Sequence, residues 1–368
     1  MKAVINRILD IKLSSNYQYI LGENLMENLR DHIGVRHDQK VFLLSDEIVW
    51  KLYGMKIDNS FSAHPSKVVS HIIEMGEDQK NFKNLNDILE KLAEEGFTKT
   101  DVLVAIGGGV IGDLGGLAAG LYMRGIDHVI VPTTTLAAVD SSVGGKTAIN
   151  LDKGKNLAGM FKQPSRIVCD INCFETLNDR IFNEGLVEAV KIAYIYDYTL
   201  LNILTKDLRK DKGALYEVIA QAVKGKYSKI KNDEFDLGER LHLNYGHTLG
   251  HAIERLSNYQ IRHGEAVGLG MLYMTRLSED KGMLSGKLPT TRMKQSFGDI
   301  SPSHLLQNIL ETLNLPHEFN YTYEELQEYL VLDKKNRMNT YDLIMLEAMG
   351  KAVVVKVDED DLKGYLSL

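Results

Sequence analysis

The chain has 368 residues, of which 44% are hydrophobic and 25% are charged. This composition is ordinary for a globular protein, and the length suffices for two domains that each bury a core. The formal net charge of −7 provides no general attraction to nucleic acid or to anionic lipid. Any cations that serve an anionic ligand should therefore be placed locally, at a binding site.

The sequence indicates no secretory signal, no membrane span and no disulfide or redox-active cysteine pair. Residues 1–13 place four charged side chains among apolar ones and lack the apolar core of a secretory signal, so we expect a cytoplasmic protein. Asp113 and several glycines interrupt the weakly polar stretch 102–123, which argues against a membrane span. Cys169 and Cys173 are too few for a disulfide framework and have the wrong spacing for a redox pair, so we predict buried free thiols.

The first half of the chain alternates short β-branched runs with helical patterns. Strands are predicted at 41–45 and 67–73, followed by an amphipathic helix over 82–95. Two further apolar strands, 101–106 and 128–132, lead directly into glycines and threonines. This rhythm is typical of a mainly parallel sheet, and such sheets bind ligands at the carboxyl ends of their strands.

Helical patterns dominate after about residue 176. They cover residues 180–194, 214–231, 246–256 and 264–277. We predict an α/β fold: a variant Rossmann-like domain with a mainly parallel sheet over 1–177, and a mostly α-helical domain over 178–368. The active site should lie in the cleft between them. Strands at 343–346 and 352–357 are indicated near the end, but the pattern does not place them.

A glycine motif follows one predicted strand. Gly107, Gly109 and Gly112 form G-x-G-x-x-G ahead of a predicted helix over 114–122, the context in which this motif binds a dinucleotide. The only nearby acid, Asp127, precedes its strand, whereas a ribose-binding acid would follow one. The motif therefore indicates a nucleotide in a variant sheet, and the alternative is a glycine-rich turn used for tight packing.

A second loop, predicted over 139–146, has the sequence VDSSVGGK. Its glycines expose backbone N–H groups, and Lys146 can neutralise a phosphate. Asp140 stands where a full Walker motif has its first glycine, which argues against kinase-type phosphoryl transfer. The alternative is a purely structural loop.

Histidines and one carboxylate in the helical half have the spacing of a metal site. His247 and His251 are four residues apart on one helix face, and His263 opens the next helix. Glu188 and Lys191, three apart on an earlier helix, offer a carboxylate and a cation. Histidine and carboxylate ligands without cysteine suit a catalytic zinc. Spacing alone does not say which three of the four candidates bind the metal.

Together these segments resemble the 3-dehydroquinate synthase family. The matching motifs are GGGVIGD at 107–113, PTTTLAAVDSSVGGKTAIN at 132–150, GKN at 154–156, EAVK at 188–191, LNYGHTLGHAIE at 243–254 and HGEAV at 263–267. Their order and spacing agree over residues 76–271, and a DKK segment at 333–335 is similar to a substrate-binding segment of the family.

The resemblance implies roles for individual residues. The metal, Zn²⁺ or Co²⁺, would be bound by Glu188, His247 and His263. NAD would be contacted by Asp46, Gly76, Glu77, Lys80, Gly108, Gly109, Val110, Ile111, Gly112, Asp113, Thr133, Thr134, Lys155, Phe174 and Thr176. Catalytic residues would be Asp140, Lys146, Lys191, Lys226, Asn244 and His251, and substrate would also be bound by Arg124, Asn156, Arg240 and one of Lys334 and Lys335.

The resemblance also implies a contact between subunits and a proton-transfer group. Arg124 matches a residue that reaches the phosphate of the neighbouring subunit, which implies a homodimer. Asp236 stands where the family typically has a glutamate with a proton-transfer role. The aspartate side chain is one methylene shorter, and we keep Asp236 as a further catalytic candidate.

The implied reaction converts 3-deoxy-D-arabino-heptulosonate 7-phosphate to 3-dehydroquinate and phosphate, a step of the shikimate pathway of aromatic amino acid biosynthesis. It proceeds by transient oxidation with NAD, β-elimination, re-reduction and intramolecular aldol closure. Other sugar phosphate cyclases, including aminodehydroquinate and 2-deoxy-scyllo-inosose synthases, are the nearest alternative. A metal-dependent dehydrogenase that releases NADH, and a non-catalytic nucleotide-binding regulator, are two more distant ones.

Overall fold

The computed structural model describes residues 3–332 and 340–366, which divide into two compact units, Met1–Leu177 and Asn178–Leu368. The first unit contains β1 (Val4–Lys12), β2 (Asn16–Glu23), α1 (Leu29–His32), β3 (Val41–Asp46), α2 (Glu47–Phe61), β4 (Val68–Ile73), α3 (Phe82–Glu94), β5 (Val102–Gly107), α4 (Gly109–Leu121), β6 (Asp127–Pro132), β7 (Lys146–Leu151), β8 (Gly154–Phe161) and β9 (Arg166–Asp170).

Seven of these strands form one sheet in the order β1-β2-β9-β6-β5-β3-β4. All neighbours are parallel except β1 and β2, which form an antiparallel hairpin at the edge that the sequence patterns did not predict. Every residue of β5 is buried, as expected for a strand covered on both faces. β7 and β8 form a separate antiparallel hairpin that packs against α4.

The second unit is mostly helical. It contains α5 (Asp179–Ile195), α6 (Leu201–Leu204), α7 (Lys212–Ile230), α8 (His247–Leu256), α9 (His263–Asp280), α10 (Thr291–Phe297), α11 (Pro302–Thr312), α12 (Tyr323–Leu332), β10 (Thr340–Ala348), β11 (Lys351–Asp358) and α13 (Leu362–Leu366). The central helix α9 packs against α5, α8, α11 and β10. The two strands of the tail pair with each other in an antiparallel ribbon.

These elements confirm the predicted fold class, with two local differences. Helix α4 begins at Gly109, five residues earlier than predicted. Its glycines let it pack closely on the sheet, since a Cβ on Gly115 would come within 2.9 Å of Ala105 Cβ. The segment predicted as a loop over 139–146 opens instead with a π-helical turn, Ala137–Ser141, which contains Asp140. Such turns occur frequently at functional sites.

Among the described residues, no helix combines the length and apolar character required to cross a membrane. The predicted substrate residues Lys334 and Lys335 lie outside the described residues.

Candidate active site

Three side chains of the second unit converge on a common point. Glu188 lies in the middle of α5, His247 is the first residue of α8, and His263 is the first residue of α9. The Nε2 atoms of His247 and His263 lie 3.6 and 3.5 Å from Glu188 Oε1. These distances are too long for good hydrogen bonds. They are close to the separation of about 3.3 Å between ligand atoms that surround zinc tetrahedrally at about 2.0 Å.

The orientation of both rings favours metal binding at this point. Nδ1 of His247 lies 3.1 Å from the carbonyl oxygen of Tyr245, and Nδ1 of His263 lies 3.2 Å from Glu254 Oε2. Each ring therefore uses Nδ1 within the protein and turns Nε2 toward Glu188. Among the described residues, neither carboxylate oxygen of Glu188 finds a partner with good hydrogen-bond geometry, although Lys191 Nζ contacts Oε2. A buried carboxylate in this position suits a bound cation.

The electrostatics of the cluster suit a cation as well. Burial alone would raise the pKa of the Glu188 carboxyl, but Lys191 and His263 outweigh burial and lower it to about 2. Burial and the positive charges of Lys191 and His263 lower the pKa of His247 well below its ordinary value, so this ring is neutral at pH 7 and has a lone pair to offer. Burial lowers the pKa of His263, but Glu188 and Glu254 raise it to about 10.

His251 lies beside this cluster on the same face of α8. Its ring centroid is 5.4 Å from that of His247 and 6.1 Å from that of His263. Candidate ligand atoms of His251, Glu254 and His263 also lie within 4.8 Å of one another, as do those of Glu188, His247 and His263. The geometry thus offers two ligand sets that share His263, and the convergence of two Nε2 atoms on Glu188 favours the set without His251.

Buried cations surround the same region of the second unit. Lys191 is 1% exposed, Lys226 is 6% exposed and Arg240 is 2% exposed. Helix α7, which carries Lys226, packs against α5 and against the 3₁₀ turn Glu239–Asn244, which carries Arg240 and Asn244. Buried cations are costly unless anions compensate them. Within the protein, Lys191 pairs with Glu188 and Arg240 donates to the carbonyl oxygen of Glu234. The concentration of buried cations in an acidic chain suits an anionic ligand.

The loop before Arg240 is held by one carboxylate. Asp233 accepts hydrogen bonds from the backbone N–H groups of Leu237, Gly238 and Arg240 at 2.8, 2.7 and 2.9 Å. These bonds outweigh burial and lower the pKa of Asp233. Asp236 lies within the loop at a φ of +66°, in the left-handed region, and is half-buried. Its proton-transfer role stays a prediction.

In the first unit, the glycine motif lies where the direction of the sheet order changes. From β3 the chain moves outward to β4 and then crosses to β5 on the other side of β3, and it continues to β6 and β9. The carboxyl ends of β3 and β5 are therefore adjacent at a topological switch point, where open α/β sheets bind ligands. Gly108 precedes α4 without a capping side chain, so the first N–H groups of α4 face this edge and suit a phosphate.

A polar network joins several predicted nucleotide and substrate residues of the first unit. Lys80, buried to 4% exposure, donates to the side chains of Asp113 and Asn156. Asn150 accepts a hydrogen bond from the backbone N–H of Asn156 at 2.9 Å and donates to Glu77 Oε1 at 2.7 Å. Asn156 has a φ of +58°, and its hydrogen bond to Asn150 stabilises this left-handed conformation.

Comparison with known proteins identifies the family. The model described as 3-dehydroquinate synthase N-terminal matches residues 70–184, and the model described as 3-dehydroquinate synthase C-terminal matches residues 185–336. The chain belongs to the 3-dehydroquinate synthase family. A relative named 3-dehydroquinate synthase from Clostridium acetobutylicum is 36% identical over 98% of this chain and 99% of the relative.

Solved structures support the fold of this family member. A 2-deoxy-scyllo-inosose synthase, solved with carbaglucose-6-phosphate, NAD⁺ and Co²⁺, aligns with a TM-score of 0.81 and 24% identity over 98% of this chain and 99% of that one. A 2-epi-5-epi-valiolone synthase from Streptomyces hygroscopicus, solved with NAD⁺ and Zn²⁺, aligns with a TM-score of 0.83 and 24% identity over 98% of both chains.

Some residues of this family member that are predicted to bind the nucleotide already make contacts within the protein. Asp46 caps α2 by accepting from the N–H groups of Ile48 and Val49 at 3.0 and 2.9 Å. The hydroxyl of Thr134 accepts from the N–H of Ala137, and that of Thr176 bonds to the Tyr53 hydroxyl. The ring of Phe174 is buried within the first unit, so a nucleotide contact there would use its backbone. All four stay predictions.

Three polar residues that support these sites were not predicted from the sequence. Glu254 holds His263, Glu184 accepts from the N–H of Gly264 at 3.1 Å, and Asn150 organises the first-unit network. Glu254 was detectable in principle, because it lies seven residues after His247 and three after His251 on one helix face. The other two depend on contacts across more than 70 residues of sequence, which no local pattern reveals.

Proposed function

We propose that this chain is a 3-dehydroquinate synthase, a carbon–oxygen lyase that converts 3-deoxy-D-arabino-heptulosonate 7-phosphate to 3-dehydroquinate and phosphate. The observation that carries the proposal is the convergence of the two histidine Nε2 atoms on buried Glu188, in a chain that matches both halves of the family. The buried Lys226 and Arg240 favour a substrate with a carboxylate.

NAD is the proposed cofactor of the first unit. The residues that would hold it lie at the carboxyl ends of β3 and β5, where Gly108 and the first turn of α4 offer backbone N–H groups to a pyrophosphate. When bound, NAD supplies a hydride acceptor and donor, so that a substrate hydroxyl is oxidised transiently and reduced again. Buried Lys80 and half-buried Asp113 form an ion pair at this site and would orient the cofactor.

One Zn²⁺ or Co²⁺ is the proposed metal of the second unit, with Glu188, His247 and His263 as its ligands. When bound, the metal supplies Lewis-acid polarisation of substrate oxygens. Lys191 lies against Glu188 and would contact substrate oxygen beside the ligands. His251, whose ring lies beside that of His247, would contact the phosphate end of the substrate, as the family resemblance implies.

Further cations would bind the two anionic ends of the substrate. Arg240, whose planar guanidinium suits a carboxylate, would bind that group together with Lys226. Lys146, exposed at the start of β7, and Asn156 would bind the phosphate from the first unit. Asp140 and Asn244 would position substrate hydroxyls, and Asp236 would take part in proton transfer.

A homodimer forms part of the proposal, with Arg124 serving the phosphate site of the neighbouring subunit. Support comes from an exposed apolar surface near Arg124: Leu121, Met123, Leu157 and Met160 are 49%, 47%, 60% and 38% exposed. Met123 and Arg124 both have left-handed backbone conformations, at φ values of 47° and 60°. Such strain is retained where a side chain must be presented in one direction.

A cytoplasmic location is also part of the proposal. The free thiols of Cys169 and Cys173 support it, because cytoplasmic proteins ordinarily keep their cysteines reduced.

The decisive experiment measures phosphate release from the heptulosonate phosphate with NAD⁺ far below the substrate concentration. We expect many phosphates per NAD⁺ and no accumulation of NADH absorbance, because the cofactor is regenerated in each cycle. Steady NADH production would identify a dehydrogenase instead. Turnover of glucose 6-phosphate in preference to the heptulosonate would identify an inosose-type cyclase, and absence of any turnover would favour a binding protein.

A further inference from the structure

The amino-terminal end of α9 is surrounded by buried carboxylates that are not part of the proposed ligand set. Glu184, Glu254 and Glu265 are 3%, 4% and 4% exposed. Glu184 accepts from the backbone N–H of Gly264 and from Arg262 Nε, and Glu265 pairs with Arg180 at 2.6 Å. Glu254 differs from the other two because it faces the imidazole ring of His263.

The contact between Glu254 and His263 determines which ring nitrogen faces Glu188. A neutral imidazole has one N–H donor and one lone pair, and the hydrogen bond of one nitrogen decides where the lone pair lies. With Nδ1 3.2 Å from Glu254 Oε2, the ring of His263 keeps a proton on Nδ1, and Nε2, 3.5 Å from Glu188 Oε1, is the nitrogen that would give up its proton to a bound metal. Carboxylates commonly hold metal-binding histidines in this way.

Glu254 is also a member of the second possible ligand set, with His251 and His263. A cation in that set next to Glu254 would take the Nδ1 lone pair of His263, and it would leave the Nε2 atom directed at Glu188 with a proton. The buried carboxylate of Glu188 and the Nε2 atom of His247 would then have no cation between them. The geometry therefore favours Glu254 as a hydrogen-bond acceptor rather than a ligand.

We infer that Glu254 is a positioning residue of the metal site: it holds the Nδ1–H of His263 and thereby directs Nε2 at the metal. This inference rests on the proposed ligand set Glu188, His247 and His263. It predicts that loss of the acceptor weakens metal binding without removing a ligand.

The test is a Zn²⁺ titration of metal-free full-length protein in competition with a chromophoric chelator, for the unmodified chain and four variants. Glu254→Leu removes the acceptor, and we expect Zn²⁺ affinity to fall by about 10- to 100-fold. Glu254→Gln has the same size and retains an oxygen acceptor without the charge, so it should give a smaller loss. Glu188→Gln serves as the reference for a lost ligand.

Glu265→Gln is the matched control, because it neutralises another buried carboxylate of the same helix end that faces Arg180 rather than the ring. Its Zn²⁺ affinity should stay within about twofold of the unmodified chain, since Gln still accepts hydrogen bonds. Saturated Co²⁺ forms of both Glu254 variants should keep one ion per chain and the visible absorption bands of the unmodified chain, because the ligands are unchanged.

Each result has a separate meaning. Equal Zn²⁺ affinity in Glu254→Leu and the unmodified chain would overturn the positioning role, as would a lower melting temperature of the metal-free protein without any change in affinity. Loss of the Co²⁺ bands in Glu254→Gln, as complete as in Glu188→Gln, would make Glu254 a ligand. Failure of the unmodified chain to bind one Zn²⁺ would refute the proposed metal site itself, and the positioning role would fall with it.

Discussion

His128 should make the stability of the first unit depend strongly on pH. It is the second residue of β6 and is fully buried, and neither of its ring nitrogens has a hydrogen-bond partner among the described residues. Burial, with a contribution from the positive charge of Lys162, lowers the pKa of His128 from 6.5 to about 3. The folded protein therefore keeps this ring neutral in a pH range in which the unfolded chain binds a proton.

The sign and size of the effect follow from proton linkage. Between pH 6.5 and about 3 the unfolded state binds more protons at this residue, so the free energy of unfolding decreases as the pH falls through that range. The full shift corresponds to about 5 kcal/mol, and the part lost at about pH 5 is about 2 kcal/mol relative to about pH 8. Above pH 6.5 the contribution of His128 is constant.

The single tryptophan of the chain gives a probe for this unit. Trp50 lies in α2, so its fluorescence during urea unfolding follows the first unit. We expect His128→Leu to reduce the difference in unfolding free energy between about pH 8 and pH 5 by about 2 kcal/mol, whatever its effect at pH 8. His37→Leu, a change at an exposed histidine of the same unit, is the control for loss of a histidine as such. An identical pH dependence in His128→Leu and the unmodified chain would refute the reasoning.

Four further predictions concern the proposed active site. His251→Ala should retain nearly stoichiometric zinc while kcat falls by about 10²-fold or more, whereas His247→Ala should purify with little zinc; equal zinc loss by elemental analysis would contradict the ligand assignment. Dialysis against a chelator should abolish phosphate release and leave the circular dichroism spectrum unchanged, and Zn²⁺ or Co²⁺ should restore activity. Full activity of a verified metal-free sample would refute a catalytic metal. Mixing inactive Arg124→Ala with inactive Lys146→Ala subunits should restore some activity after verified subunit exchange, because some sites would then contain both native side chains. No recovery would argue against a contribution of Arg124 to the phosphate site of the neighbouring subunit. Asn150→Ala should weaken NAD⁺ binding, measured calorimetrically, by about fivefold, because it releases Glu77, a predicted NAD contact, from a hydrogen bond worth about 1 kcal/mol; unchanged affinity would show that the network serves the fold alone.

The sequence by itself determined the central strands of the large sheet, the main helices around the metal site and the kinds of chemistry available. Continuous apolar runs such as 102–107 form buried parallel strands, because a strand covered on both faces has no polar side to alternate with. The four-residue spacing of His247 and His251 was sufficient to predict a shared helix face. The set of motifs also predicted the family, which the comparisons confirm.

The tertiary structure decided what these side chains face. Helical spacing treats His247 and His251 alike, and only the packing of α5, α8 and α9 directs His247 Nε2 and His263 Nε2 at one oxygen of Glu188. The same packing brings Glu254 to Nδ1 of His263, and folding of the first unit brings Asn150 to Glu77, 73 residues earlier in the chain. Hydrogen-bond direction is set by contacts between elements distant in sequence, and the periodicity of a single element does not contain that information.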